Sequence, residues 1–216
     1  MTFIAPHCQE PLTELYRDSE LVVVVKPAGL LSVPGRPPND NDSAHARLLA
    51  IEPETRVVHR LDMSTSGLMV FGLNAASHRE LSRQFQDREV EKGYIAEVWG
   101  TPEQDSGEIS LPLICDWPNR PRQKVDHEQG KKALTRYYSM AGDGTHGRVW
   151  LEPVTGRSHQ LRVHLAELGH PILGCEFYAH DEARAASDRL RLHASLLTFK
   201  HPATAETMRF ESQPPF

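Results

Sequence analysis

The chain has 216 residues, 39% of them hydrophobic, with a formal net charge of −5 and a pI near 6.2. Its length fits one large domain or two small ones, and its acidic balance argues against nonspecific nucleic-acid binding, which needs a net basic surface. Three widely spaced cysteines, no apolar N-terminal leader and no membrane-length apolar run favour a reduced, soluble, cytoplasmic protein with no membrane partner.

Hydrophobic patterns predict the elements in chain order. An apolar, β-branched run at 21–25 predicts a buried strand, and Ser43 is placed to cap a helix that reaches about residue 51. Strands at 57–58 and 68–73 flank a polar turn, and a helix at 75–88 follows. The remaining predicted strands are 94–99, 109–114, 134–140, 148–151, 190–199 and 207–210, and Ser158 is placed to cap a helix that stops at Gly169.

Strands outnumber helices in this series and often follow one another directly. That order favours an α+β fold with a mixed, mainly antiparallel sheet and flanking helices, rather than a doubly wound parallel sheet. Neither a Gly-x-Gly-x-x-Gly motif nor a phosphate-binding loop motif occurs. The sequence therefore gives no support for a nucleotide cofactor, and we expect no cofactor at all.

Asp62 lies in a polar turn between two predicted strands, two residues after Arg60. A carboxylate can act as a nucleophile or a general base while it stays ionised, and a nearby guanidinium favours the ionised form. In an extended segment Arg60 need not point the same way as Asp62, so an arginine from elsewhere would be a better partner. The alternative is an aspartate that only bonds its own turn.

Residues 153–164 form a second dense segment, with Arg157, His159, Arg162 and His164 near a helix N-terminus. Arginines at such a terminus attract phosphate or carboxylate. The histidines are five residues apart, which is not the spacing of two metal ligands on one helix face, and His159 can instead hold a backbone carbonyl. Tyr94, in a predicted strand, would ordinarily be structural.

Charge is unevenly distributed along the chain. Residues 117–136 carry six basic and two acidic side chains. A local basic segment matters more for an anionic partner than the net charge does, although a solvated loop is the alternative.

In combination, the motifs resemble the pseudouridine synthases, and among those that modify the large ribosomal RNA they resemble the type with dual specificity for rRNA and tRNA. Each motif alone is modest evidence, but they occur in order along nearly the whole chain. They are Lys26-Pro-Ala-Gly-Leu-Leu-Ser32, His59-Arg-Leu-Asp62, Lys92-Gly-Tyr94, Leu113-Ile-Cys-Asp-Trp-Pro-Asn-Arg120, Thr155-Gly-Arg-Ser-His-Gln-Leu-Arg-Val-His164, Gly169-His-Pro-Ile-Leu-Gly174 and Arg191-Leu-His-Ala194.

The resemblance implies an isomerase that converts specific uridines to pseudouridine in 23S rRNA and in the tRNA anticodon loop, by base flipping and an aspartate-dependent rearrangement of the glycosidic bond. Asp62 matches the catalytic aspartate, Arg162 its basic partner and Tyr94 the tyrosine that contacts the base. Arg60 matches an arginine that enters the RNA, and Leu192 an apolar wall of the pocket.

The other residues expected to bind RNA are His59, Arg120, Lys124 and Arg157. The expected partners are an rRNA hairpin and a tRNA anticodon stem-loop. We also expect a monomer that forms a single catalytic domain over residues 1–216, without a separate N-terminal RNA-binding domain.

One position departs from the family pattern, because Cys175 stands where the family usually has aspartate. That acid is expected to be structural, so catalysis should survive. Two alternative functions stay open at this point: a metal-dependent phosphodiesterase using His59, Asp62, His159 and His164, and a non-catalytic RNA-binding module.

Overall fold

The computed structural model describes residues 8–35, 42–140 and 146–216. Its strands are β1 Thr13–Arg17, β2 Leu21–Lys26, β3 Arg56–Val57, β4 Ser66–Gly72, β5 Glu91–Trp99, β6 Ser106–Ile109, β7 Leu113–Cys115, β8 Gln123–Val125, β9 Thr135–Met140, β10 His146–Pro153, β11 Leu192–Lys200 and β12 Thr207–Glu211. Its α-helices are α1 Ala44–Leu49, α2 Ala75–Asp87, α3 Gln160–Glu167 and α4 Asp181–Ala185.

The chain divides into two compact units. Among the described residues, the first unit takes those that lie within 1–92 and 194–215, and the second takes those within 93–193 together with Phe216. The expected single domain is not tested by this division and stays a prediction.

The first unit is built on strands in the order β1-β2-β4-β11, with β3 pairing with β4 and β12 pairing with β11. The pairs β1–β2, β2–β4, β3–β4 and β11–β12 are antiparallel. Helix α2 packs against β3 and β4. One core cluster of this unit consists of Leu21, Val23, Leu68, Val70, Leu81, Val90, Leu197 and Phe199.

The second unit contains strands in the order β5-β10-β9-β6, all antiparallel, and the separate hairpin β7–β8. Helix α3 packs against β8, β9 and β10. Six of its eight residues are buried. Three of the six are apolar, and the other three are the polar residues Gln160, Arg162 and His164.

The α+β class and the mainly antiparallel pairing are confirmed. Two local predictions are wrong. The expected strand at 109–114 is two strands, β6 and β7, separated by Pro112, which lacks the N–H that a continuous ladder needs. Ser158 does not cap α3, since the residue at the N-cap is His159 in the left-handed region (φ 53°), without a side-chain capping bond.

Candidate active site

Asp62 lies on a tight turn that leads into β4. The Thr65 N–H donates to the Asp62 carbonyl at 3.1 Å, which closes the turn, and the Asp62 side chain is half-buried. Arg60, two residues earlier, is exposed. The turn therefore holds the carboxylate at the edge of the core while it leaves Arg60 in solvent.

The residues on both sides of Asp62 are held by the last residue of β2 and by the segment that follows it. Lys26 is fully buried, and its Nζ donates to the Met63 carbonyl at 3.1 Å. The Gly29 N–H donates to the same carbonyl at 2.9 Å. Ser32 Oγ donates to the Leu61 carbonyl at 2.7 Å and accepts from the Leu61 N–H at 3.0 Å. These four bonds restrict the backbone of Asp62 from either side.

Gly67 allows the turn to enter β4. Its φ is +121°, and a Cβ there would lie 2.4 Å from both the backbone nitrogen and the carbonyl oxygen of Ala194, in the same unit. Only glycine fits this approach. The glycine of the Asp62 motif is therefore required by packing and backbone conformation together.

The His59 side chain is held by one hydrogen bond and by one aromatic contact within the first unit. Its Nε2 accepts from the Val70 N–H at 3.1 Å, and the ring stacks on Phe85 with centroids 4.4 Å apart. Burial, aided by the nearby Lys92 ammonium, lowers the pKa of His59 to about 3. His59 is thus a neutral hydrogen-bond acceptor that binds β4, the strand that follows the Asp62 turn, and its expected contact with RNA stays a prediction.

Arg162 is the most enclosed charged side chain of α3, with 2% of its surface exposed. Four consecutive residues surround its guanidinium. Nε donates to Cys175 Sγ at 3.4 Å, and Nη2 lies 3.7 Å from Glu176 Oε1. The guanidinium carbon lies 5.1 Å from the Phe177 ring centroid and 5.5 Å from that of Tyr178.

We call residues 175–178 the arginine cradle. A charge this deeply buried needs hydrogen bonds and aromatic faces to offset the loss of water. The sequence prediction missed the cradle, apart from the unusual cysteine at position 175. The Cys175 thiol is free of any disulfide and accepts the hydrogen bond from Arg162 Nε. The residue at position 175 therefore contacts the arginine directly.

Tyr178 ties the cradle to two other parts of the second unit. Its hydroxyl oxygen accepts from the Gln123 N–H at 2.8 Å and lies 2.6 Å from His159 Nδ1. Phe177 stacks on the same imidazole at 5.7 Å. His159 thus bonds a tyrosine hydroxyl through Nδ1, and the bond to a backbone carbonyl that the sequence suggested stays a prediction.

The Thr155–His164 segment owes its shape to internal bonds. Gln160 Oε1 accepts from Thr155 Oγ1 at 2.7 Å and from the Arg157 N–H at 3.0 Å. His164 is buried, bonded to Thr135 Oγ1 at 2.9 Å and to the Leu111 carbonyl at 3.0 Å, and its pKa is lowered chiefly by burial. Both imidazole nitrogens of His164 are occupied, which disfavours its use as a metal ligand.

Two further expected residues belong to the core of the second unit. Tyr94 is half-buried on β5, opposite Leu151 of β10, and packs against that core. Leu192 is 3% exposed and is a core member itself. Tyr94 therefore combines a packed ring with partial access to solvent.

The expected phosphate-binding residues Arg120, Lys124 and Arg157 are exposed in the second unit. The Arg120 guanidinium lies 4.7 Å from the Trp117 ring centroid. Lys124 Nζ is 3.9 Å from an oxygen of Asp126, and Arg157 Nε donates to the Lys132 carbonyl at 3.2 Å. None of these contacts is buried, so the three cations keep access to an anionic partner.

Comparison with known proteins identifies the family. The family model described as RNA pseudouridylate synthase matches residues 20–167. The chain belongs to this family. It is therefore an RNA pseudouridine synthase, an isomerase whose substrate is RNA.

Curated relatives match this synthase over nearly its whole length. The dual-specificity RNA pseudouridine synthase RluA of Escherichia coli strain K12 is 54% identical over 211 residues, which are 96% of each chain. The protein of the same name from Haemophilus influenzae is 51% identical over 212 residues, covering 98% of this chain and 97% of its own.

Solved structures agree on the fold of this synthase. Human RNA pseudouridylate synthase domain containing 1 has a TM-score of 0.78 and 29% identity, covering 98% of this chain and 86% of its own. Human RNA pseudouridylate synthase domain containing 4, at 24% identity and a TM-score of 0.75, supports the fold alone.

Family membership does not support the two alternatives, a metal-dependent phosphodiesterase and a non-catalytic RNA-binding module. Among residues 8–35, 42–140 and 146–216, no group of three or more His, Cys, Asp or Glu side chains is arranged to hold a metal ion. Within the same residues no helix has the length and apolar character needed to cross a membrane.

Proposed function

We propose that this enzyme isomerises uridines in two RNA classes, a hairpin of 23S rRNA and the tRNA anticodon loop. Support comes from the ordered motifs along the chain and from the name of the relatives that match it end to end. The observation that carries the assignment of chemistry is the pinned turn of Asp62, because a catalytic carboxylate must be held in a fixed position.

The reaction rearranges one nucleotide without a net change in atoms or oxidation state. The N1–C1′ bond breaks, C1′ bonds to C5, and the proton lost from C5 is balanced by one gained at N1. Asp62 is the residue proposed to start this rearrangement. Attack at C1′, addition to the uracil ring and removal of the 2′ proton all agree with its position.

Arg162 is proposed to pair with Asp62 and keep it ionised, and Tyr94 to contact the uracil and help remove the C5 proton. The cradle supports the role of Arg162, since two aromatic rings and a thiol contact its guanidinium. A preorganised cation costs no reorganisation during the reaction.

RNA must present the target uridine outside its stack, and unstacking a loop nucleotide costs a few kcal/mol. We propose that exposed Arg60 enters the space that the nucleotide leaves. Arg120, Lys124 and Arg157 are proposed to hold the phosphates, and Leu192 to line the base pocket. A monomer acting in the cytoplasm as a single catalytic domain completes the proposal.

The test is pseudouridine mapping on an rRNA-type hairpin and an anticodon stem-loop with purified wild-type enzyme and Asp62→Asn. We expect wild type to modify both RNAs and Asp62→Asn to modify neither while it binds both with wild-type affinity. An active Asp62→Asn variant would remove the aspartate from the mechanism. Modification of only one RNA class would refute dual specificity and leave the activity intact.

A further inference from the structure

The tip of the β7–β8 hairpin exposes a large aromatic side chain. Trp117 is 66% exposed, whereas Trp99 and Trp150 are half-buried, so it is the most exposed of the three tryptophans, all of which the structure describes. Trp99 packs against two histidine rings and Trp150 donates to Glu152. The Trp117 indole therefore offers a large apolar surface to a binding partner.

The backbone that carries Trp117 is held in place before any partner binds. Residues Trp117–Asn119 form a 3-10 turn. The Asn119 N–H donates to the Asp116 carbonyl at 3.0 Å, and its side-chain amide donates to the Asp116 carboxylate at 2.8 Å. The Asp116 N–H donates to the Arg122 carbonyl at 2.9 Å, which closes the loop. A preordered loop loses little entropy on binding.

The surroundings of the indole are cationic. Residues 116–125 hold three basic side chains, Arg120, Arg122 and Lys124, and one acidic side chain, Asp116. The Arg120 guanidinium stacks on the indole with its carbon 4.7 Å from the ring centroid. A flat aromatic ring beside arginine and lysine matches the two parts of a single-stranded nucleotide, its base and its phosphate.

We propose that Trp117 is a stacking platform for an unpaired base of the RNA substrate, outside the residues that act on the target uridine. Arg120 and Lys124 hold the adjacent phosphates. This inference rests on the proposed RNA substrates and adds a base contact to them. A protein partner is disfavoured because a cationic rim suits an anionic surface.

Binding is measured with wild type, Trp117→Ala and Trp117→Phe on two probes, an anticodon-type stem-loop and a blunt RNA duplex of equal length. Stacking requires an unpaired base, so Trp117→Ala should bind the stem-loop about 5- to 100-fold more weakly and the duplex normally. Trp117→Phe should recover most of the loss. The dependence of affinity on salt should be unchanged in both variants, since no phosphate contact is removed.

Tyr138→Ala is the matched control, since Tyr138 is an exposed aromatic (41%) on β9 of the same unit, and it should bind both RNAs normally. In wild type, iodide quenching of tryptophan emission should fall when the stem-loop binds, and it should not fall in Trp117→Phe. All variants should unfold at the wild-type temperature, because the replaced side chains are exposed.

The proposal would be wrong if Trp117→Ala bound the stem-loop as tightly as wild type does. It would also be wrong if Trp117→Ala lost the same affinity for the stem-loop and for the duplex. Iodide protection that appears on raising the protein concentration without RNA would overturn it too, since this would indicate a contact between protein copies. Pseudouridine formation in the same stem-loop is read separately. If wild type forms none, the proposed substrate fails, while the comparison of Trp117→Ala affinities still decides on the platform.

Discussion

Lys26 and Met63 are joined by a partly buried hydrogen bond, from the lysine Nζ to the carbonyl of the residue that follows Asp62, at 3.1 Å. The same ammonium donates to the carbonyls of Pro27 and Leu30, each at 2.8 Å. Lysine offers three donors on one flexible stem, so it can join carbonyls from separate segments. A charged residue far from Asp62 in sequence thus helps to hold the turn that carries this carboxylate.

Lys26→Met should destabilise the protein and reduce catalysis. The carbonyls of Pro27, Leu30 and Met63 would lose a buried donor, at a cost on the order of 2–4 kcal/mol in the free energy of unfolding. The freed Asp62 turn should lower kcat more than RNA affinity. Denaturant unfolding and single-turnover pseudouridine formation measure the two effects. Lys200→Met, which changes an exposed lysine of β11, is the control and should behave as wild type.

Gly67→Ala should be more severe than an ordinary glycine substitution. The new Cβ would lie 2.4 Å from backbone atoms of Ala194, and a backbone cannot move away as a flexible side chain can. The φ of +121° adds a conformational strain that alanine does not tolerate. We expect a loss of at least about 3 kcal/mol in the free energy of unfolding, or insoluble protein. Gly156→Ala is the matched control, since nothing lies within 4 Å of its added Cβ. Equal stability of the two variants would contradict the packing argument.

Phe177→Leu should reduce catalysis with little change in RNA binding. It removes one of the two aromatic faces next to the Arg162 guanidinium, an interaction of about 1–2 kcal/mol in a desolvated setting, so kcat should fall about 5- to 30-fold. Phe177→Tyr keeps the ring and should restore most of the rate. If Phe177→Leu kept the wild-type kcat, the cradle would have no part in placing the arginine.

The long, apolar elements could be predicted from sequence, while the short polar ones could not. Strand β2 and helix α2 follow directly from hydrophobic pattern and length. The hairpin β7–β8 has two three-residue strands, too short for a periodic signal. The start of α3 was misplaced because Ser158 has the usual capping chemistry, yet a left-handed His159 occupies the position instead.

The candidate site shows the same limit. Motifs singled out Asp62, Tyr94 and Arg162, but not what holds them. The bond from Lys26 to Met63 spans 37 positions, and the cradle is set by the packing of residues 175–178 around α3. Such contacts depend on tertiary structure, and no local pattern in the sequence encodes them. The proposed pairing of Asp62 with Arg162 stays a prediction, tested by Arg162→Ala, which should abolish turnover.

Acidification should destabilise the first unit through His59. The pKa of His59 is about 3 in the folded protein, because of burial and the nearby Lys92, against about 6.5 when unfolded. Between these values the unfolded chain binds a proton that the folded chain does not, so the stability present above about pH 6.5 falls as the pH drops toward 3.

From pH 7 to pH 5 this residue should cost about 1–2 kcal/mol in the free energy of unfolding, allowing for its partial exposure. His59→Gln cannot titrate, so its stability should change less over the same interval. Urea unfolding of both proteins at several pH values provides the measurement. Parallel curves for the two proteins would show that His59 takes up its proton equally well in the folded state, and that the bond from Val70 does not depend on a neutral imidazole.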